Sequence, residues 1–247
     1  MTVESEHDLI ALRRIGRIVA EALQTMRAQL RPGITTAELD HIGASFLQQH
    51  GARSAPQLAQ NFPAATCISL NNEAAHGIPG ERVVQTGDLV NIDVSAELDG
   101  YYADTAASIP VLPVAARSQQ LCDCTQQALK RGIAAAKAGR PLYAIGRAIE
   151  QTARRGGFTI LRNLPGHGIG RDLHEEPSVP NFYLPQANQR LTKGLVITVE
   201  PFLSLRANYV VQAEDGWTLK TADGSLAAQY EHTIVITKKR PIVLTVC

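Results

Sequence analysis

The chain lacks an excess of charge of either sign: 24 Lys and Arg against 23 Asp and Glu leave a formal net charge of +1. Nothing therefore drives bulk attraction to nucleic acid or to anionic lipid. It has no apolar run near membrane-spanning length, which argues against a transmembrane helix. The first residues, MTVESEHDLIALRR, are acidic before they are basic and hold no apolar signal core. Cysteine is sparse, at positions 67, 122, 124 and 247, with no Cys-x-x-Cys, so no disulfide framework is implied. Cys122 and Cys124 fall in a helical pattern that points them to different sides. Reduced thiols and a cytoplasmic setting are the expectation. There is no Asn-x-Ser/Thr acceptor. Also missing are a Gly-x-Ser-x-Gly elbow, a phosphate loop ending in Gly-Lys-Ser/Thr, and a His-Glu-x-x-His helix.

What is present is globular. Apolar residues make up 45% of 247, enough for a full core in one large domain or two small ones. Leu9, Leu12, Ile15, Val19, Leu23, Met26 and Leu30 keep helical spacing and predict a long helix over 5–30, stopped by Arg31-Pro32-Gly33. Thr35 and Glu38 form a capping-box pattern that opens a second helix, closed by Gly51. From Leu89 the period changes to two. Val90, Ile92 and Val94 alternate with Asn91, Asp93 and Ser95. Asp99-Gly100 marks a hairpin turn into YYADTAASI.

The layout then repeats. Helices are predicted over 114–138 and 142–155, with strands near 161–164, at 195–204, and at 217–220 and 229–237. Gly33 and Gly51 lie 18 residues apart, as do Gly139 and Gly157. An α/β chain of two similar halves, about 5–110 and 114–240, in a single catalytic unit spanning 1–247 is the expectation.

Charged residues occur where the pattern calls for apolar interior. Asp93 in NIDVS and Asp104 in YADT converge on one face of the predicted hairpin. Glu200 ends the apolar run LVITVE, and Glu231 precedes the apolar strand HTIVIT. Four buried carboxylates are ruinous unless paired or ligating. With His167 they make a ligand set for two divalent cations, whose charge would balance theirs, and that chemistry is hydrolytic.

The most specific local string is PGHGIGRDLHEEP. Gly166, Gly168 and Gly170 surround His167 and allow close approach of a ligand. It is not a dinucleotide fingerprint, which would need glycine at Arg171. Glu175 and Glu176 read as solvated or supporting groups. His76 sits on a tight loop, HGIPG, before the hairpin. Cys67 lies upstream and reads as a buried or pocket-lining thiol rather than a nucleophile.

Taken in order, Asp93, Asp104, His167, Glu200 and Glu231, with HGIP, GHGIG, HEEP, TVEP and QYEHT around them, resemble the type I methionine aminopeptidases in their short bacterial form. The resemblance runs from the first helix to about residue 240. It implies the pita-bread fold of the creatinase/aminopeptidase group, two pseudo-symmetric halves around a dinuclear site. In that scheme Asp93 chelates one metal, Asp104 and Glu231 bridge two, and His167 and Glu200 complete the set. Co, Mn, Fe(II) or Zn would suit these ligands. His76 and His174 would face the substrate and serve catalysis with Glu200. Phe62, Cys67 and Trp217 would hold the methionine side chain.

The implied substrates are N-termini of deformylated nascent polypeptides with a small second residue. The implied setting is a monomeric enzyme acting at the ribosome, without nucleic-acid specificity or a membrane. The pattern departs at Leu58–Pro63, where only Phe62 is aromatic, and at Leu173. Ala59, Gln60 and Leu173 are expected to widen the methionine pocket. A prolidase or Xaa-Pro aminopeptidase would share the ligands but usually carries a large N-terminal domain. A binding module on the same fold would typically lose ligands.

Overall fold

The computed structural model describes residues 1–247. Ser5 caps the first helix, α1 (Glu6–Gln29). Its hydroxyl accepts from the Asp8 amide, and the Asp8 carboxylate accepts from the Ser5 amide. The face carrying Leu12, Ile15, Val19, Leu23 and Met26 is buried. Thr35 and Glu38 make the predicted capping box at the start of α2 (Thr36–Gln49). A short helix not foreseen in the sequence, α3 (Ala55–Gln60), follows and ends at Asn61 in the left-handed conformation, φ 56°. Six residues give no period to read.

Helices α1 and α2 cover one sheet. Its centre is the hairpin Leu89–Leu98/Tyr101–Pro110, with Cys67–Leu70 and Arg53–Ser54 along its other edge. In register, Ser95 faces Asp104 and Asp93 faces Ala106. The alternation of Leu89–Leu98 is real, yet both faces are buried. The polar face turns inward to the centre of the molecule, not to water.

The second set of elements is laid out similarly. Helices α4 (Ala116–Ala135) and α5 (Tyr143–Gly156) pack across a three-stranded sheet, Ala227–Gln229, Phe202–Ser204 and Thr159–Ile160, and a five-stranded one. The strands of the five-stranded sheet run in the order Ile242–Val243, His232–Val235, Val196–Val199, Gly166–Gly168 and Glu175–Val179. Gly51 and Gly157, just past α2 and α5, both take positive φ (72° and 70°).

Three strand expectations need correction. Residues 161–164 form a turn rather than a strand; the strand is Thr159–Ile160. Leu161 and Leu164, three apart, drop into a small core with Phe202 and Ala207, a spacing that suits a turn. The expected continuous strands at 195–204 and 229–237 are each broken. Val196–Val199 pairs with His232–Val235 in one sheet, while Phe202–Ser204 pairs with Ala227–Gln229 in another. Pro201 has no amide to give to a ladder. The breaks fall at Glu200-Pro201 and Tyr230-Glu231, where the ribbon passes between sheets.

The two sheets meet where these breaks occur. The Glu231 amide donates to Ala106 O at 2.9 Å, and the Thr105 hydroxyl donates to Glu231 O at 2.9 Å.

Candidate metal centre and active site

The backbone explains why the acidic residues converge. Val199 faces His232 and Phe202 faces Gln229, so the register is unchanged across the break and Glu200 lies opposite Glu231. In the other sheet Asp93 and Asp104 share the inward face of the hairpin. Gly166 and Gly168 run beside Val196–Val199 and set His167 between them. A Cβ on Gly168 would come within 2.2 Å of Glu176 O, so only glycine fits this approach of two chains.

The result is a cleft of about 420 Å³ whose wall includes Asp93, Asp104, His167, Glu200 and Glu231. Ligand atoms of Asp104, His167 and Glu231 lie within 4.8 Å of one another. His167 Nε2 stands 3.4 Å from Glu200 Oε1 and 4.0 Å from Asp104 Oδ2. Its Nδ1 donates to Gly168 O at 2.9 Å. A carbonyl can only accept, so the proton sits on Nδ1 and the Nε2 lone pair is left for a ligand.

Electrostatically the cleft is in debt as built from protein alone. Asp104 Oδ1 and Glu231 Oε1 are buried with no hydrogen-bond partner. Burial, then the Asp104 and Glu200 charges, hold the Asp93 carboxyl well above the ordinary carboxylate range. Glu231 is raised by burial and by Asp104, Glu200 and Asp93. Burial also lifts Glu200, against the Thr198 hydroxyl that donates to it at 2.6 Å. The His167 imidazole is pushed down to about 4, chiefly by burial. Orphaned oxygens, repelling carboxylates and a neutral imidazole suit divalent cations: oxygen and nitrogen donors with no thiolate.

Supporting residues surround this set, and nothing in the sequence gave their partners. Gln229 donates to Glu231 Oε2 at 3.1 Å and accepts from Asn91 at 2.7 Å. Thr198 Oγ1 also accepts the His167 amide at 2.9 Å. Asn181 donates to Glu200 O at 3.0 Å. Asn91 and Gln229 left one trace in the sequence, a polar residue two positions before a candidate ligand on an apolar strand.

His76 and His174 also line the cleft. His76 takes φ 54°, a left-handed conformation rare for a side chain of its size. It is held there because Gly77 packs against the Cys67–Leu70 strand, its amide donating to Ser69 Oγ at 2.9 Å. Burial, with the nearby His174, lowers His76 from its ordinary value. The His174 ring lies 4.3 Å from that of His167, centre to centre.

Phe62 and Cys67 are buried side by side, with Ile78 and Trp217 packed against them. Trp217 is not on the cleft wall itself; it meets the Phe62 ring edge-on at 5.2 Å. Cys67 pairs with Asp93 across the strands, and burial, then that carboxylate, push its thiol well up, so it stays protonated. Of the three departures, Gln60 and Leu173 reach the cleft. Ala59 is exposed and is not among the lining residues.

Fold and cleft together describe a hydrolase that works with divalent metal. The chain belongs to metallopeptidase family M24, whose profile matches residues 11–238. It is 49% identical to methionine aminopeptidase 2 of Bacillus subtilis (strain 168), over 99% of both chains. The crystal structure of methionine aminopeptidase from Rickettsia prowazekii superposes with a TM-score of 0.95 at 36% identity, covering 100% of each. Prolidase from Pyrococcus furiosus shares the fold, with a TM-score of 0.78 at 20% identity, and the match covers 66% of that longer chain. No helix is long and apolar enough to cross a membrane.

Proposed function

We propose that this chain removes the N-terminal methionine from peptides and nascent polypeptides whose second residue is small, using two divalent ions. The observation that carries the metal chemistry is the pair of orphaned, buried oxygens, Asp104 Oδ1 and Glu231 Oε1, in a cleft of four carboxylates. The likeness to methionine aminopeptidases along the whole chain supports the choice of substrate.

Asp93, Asp104, His167, Glu200 and Glu231 would hold the ions, Co, Mn, Fe(II) or Zn. Such ions, when bound, make water a nucleophile near neutral pH and polarise a carbonyl. The protein groups do the rest. Glu200, oriented by the Thr198 hydroxyl, accepts the proton of the attacking water and passes it to the leaving amine. His174 donates a hydrogen bond to the carbonyl oxygen as charge builds on it. His76, fixed by its strained backbone, faces the scissile amide nitrogen. Phe62, Cys67 and, behind them, Trp217 receive the methionine side chain, the thiol beside a thioether. The segments 5–110 and 114–240 act as one catalytic unit, each supplying part of the ligand set. The enzyme acts as a monomer in the cytoplasm on deformylated chains.

The test is release of methionine from Met-Ala-Ser by metal-loaded protein, with metal content measured in the same sample. Release from Met-Ala-Ser, with formyl-Met-Ala-Ser and Ala-Pro left intact, is the expected outcome. Cleavage of Ala-Pro instead would make this a proline-directed peptidase, and no cleavage of either with two ions bound would leave a binding role.

A further inference from the structure

Gln60 ends α3 at the mouth of the cleft, and its amide nitrogen lies 3.1 Å from Nδ1 of His174. The local chain is built to put it there. Ser54 caps α3 at one end and donates its hydroxyl to Ala65 O at 2.8 Å. At the other end Asn61 takes the left-handed conformation, and the Phe62 amide turns back to Pro56 O at 3.2 Å. This turn buries the Phe62 ring in the pocket while leaving Gln60 on the cleft wall facing the histidine.

The loop that carries His174 is anchored from outside. Arg171 bonds to Asp8 at 3.0 Å and to the Tyr101 hydroxyl at 2.7 Å, and Glu175 accepts the amides of Arg171 and Asp172. These contacts fix the loop backbone. They do not fix the exposed imidazole at its tip, which can still turn about its own bonds and carry its proton on either nitrogen.

We propose that Gln60 is the positioning residue for His174, holding the ring in the Nε2–H tautomer with that N–H aimed into the cleft. The inference rests on the reading of His174 as the donor to the substrate carbonyl. A neutral imidazole donates through one nitrogen and accepts through the other. The Gln60 N–H occupies Nδ1 as an acceptor, so the proton belongs on Nε2. The arrangement mirrors His167, where Gly168 O keeps the proton on Nδ1 and frees Nε2. The two adjacent imidazoles are therefore held in opposite tautomers, His167 as a lone-pair donor and His174 as a proton donor.

The experiment compares wild type, Q60M, H174A and Q60M/H174A, all loaded with zinc, on Met-Ala-Ser and by 15N NMR of the imidazole nitrogens at alkaline pH. His174 signals are assigned by their loss in H174A. In wild type, Nδ1 of His174 should show the unprotonated shift and Nε2 the protonated one. In Q60M the two shifts should move toward each other, and kcat should fall about tenfold, the lower end for partners that orient a site's groups. KM should change less than about twofold, and the loss should vanish in the H174A background.

A wild-type spectrum with the proton on Nδ1 overturns the proposal, as does a Q60M loss that persists in H174A or sits in KM. Should Q60M fail to fold or to bind zinc, Q60E, which keeps the shape, takes its place, with transfer of the proton to Nδ1 as its signature. If wild type does not release methionine at all, the substrate reading fails, while the NMR result still decides the tautomer.

Discussion

Asp104 and Thr233 exchange two hydrogen bonds where the two sheets meet. The Asp104 amide donates to Thr233 Oγ1 at 2.9 Å, and the same hydroxyl donates to Asp104 O at 2.7 Å. One buried side chain thus satisfies both backbone groups of a proposed ligand 129 positions away. Thr233→Val keeps the shape and leaves both groups unpaired. The expected cost is about 1–3 kcal/mol of stability and a roughly ten- to hundredfold loss of metal affinity. Calorimetric unfolding and metal titration check this, with Thr233→Ser as the variant that should restore both. Metal affinity unchanged in Thr233→Val would mean the junction does not govern where Asp104 stands.

The carboxylates give metal removal a definite sign. Asp93, Glu200 and Glu231 have folded-state pKa values above their ordinary ones, first through burial. A raised carboxylate contributes stability that is present below its unfolded pKa and is lost as pH rises through the folded one. Through these groups, chelated protein should be more stable just above pH 4.5 than near neutrality, and added metal should remove that trend. Glu231→Gln takes one charge out of the cluster. Without metal it should unfold at or above the wild-type temperature, and with metal it should gain much less. A metal-free Glu231→Gln protein clearly less stable than metal-free wild type would show that repulsion among the carboxylates does not govern the stability of the empty site.

His232 contributes with the opposite sign. Burial pushes its imidazole down to about 4, and its Nδ1 lies 2.8 Å from Thr245 Oγ1. The folded state keeps the ring neutral, while the unfolded chain charges it near 6.5. Its contribution is whole above that pH and declines as pH falls toward 4, by at most about 1.4 kcal/mol per pH unit. In metal-loaded protein, His232→Asn should narrow its stability gap to wild type between pH 7.5 and 5, by denaturant titration. A gap that stays constant over this range would place the His232 ring in water.

Much of this architecture could be read from periodicity. Thr35 and Glu38 announced α2, Asp99-Gly100 announced the hairpin, and the polar face Asn91-Asp93-Ser95 told of something costly at its centre. Glu200 and Glu231 were harder, because each sits where a ladder breaks, and a break looks in sequence like the middle of a strand. Only the pairing of Val199 with His232 and Phe202 with Gln229 shows that the two glutamates face each other. Gln60 was visible only as a departure from a family pattern. Its role depends on a contact across 114 residues of chain, which no local spacing encodes. The same holds for Gln229, whose partner Asn91 lies 138 positions away.

The proposed methionine pocket gives the last prediction. Phe62 is 4% exposed and Cys67 7% exposed. Trp217, edge-on to Phe62, backs the ring rather than touching the cleft. An apolar pocket of this kind distinguishes similar side chains by only about 1–3 kcal/mol. Met-Ala peptides should be preferred to norleucine-Ala by a small factor, and to Leu-Ala by more, because branching at Cγ widens the chain where Phe62 stands. Phe62→Ala removes the wall proposed to read this shape. Binding of the side chain is common to ground and transition states, so KM for Met-Ala-Ser should rise roughly tenfold or more while kcat falls less. The ratio of kcat/KM for Met-Ala over Leu-Ala should also shrink toward one. Trp217→Phe should change both values slightly, since it acts on the substrate only through Phe62. Steady-state kinetics on the three peptides decide the matter. A Phe62→Ala enzyme that lost kcat with KM and the Met:Leu ratio intact would move the pocket elsewhere on the cleft wall.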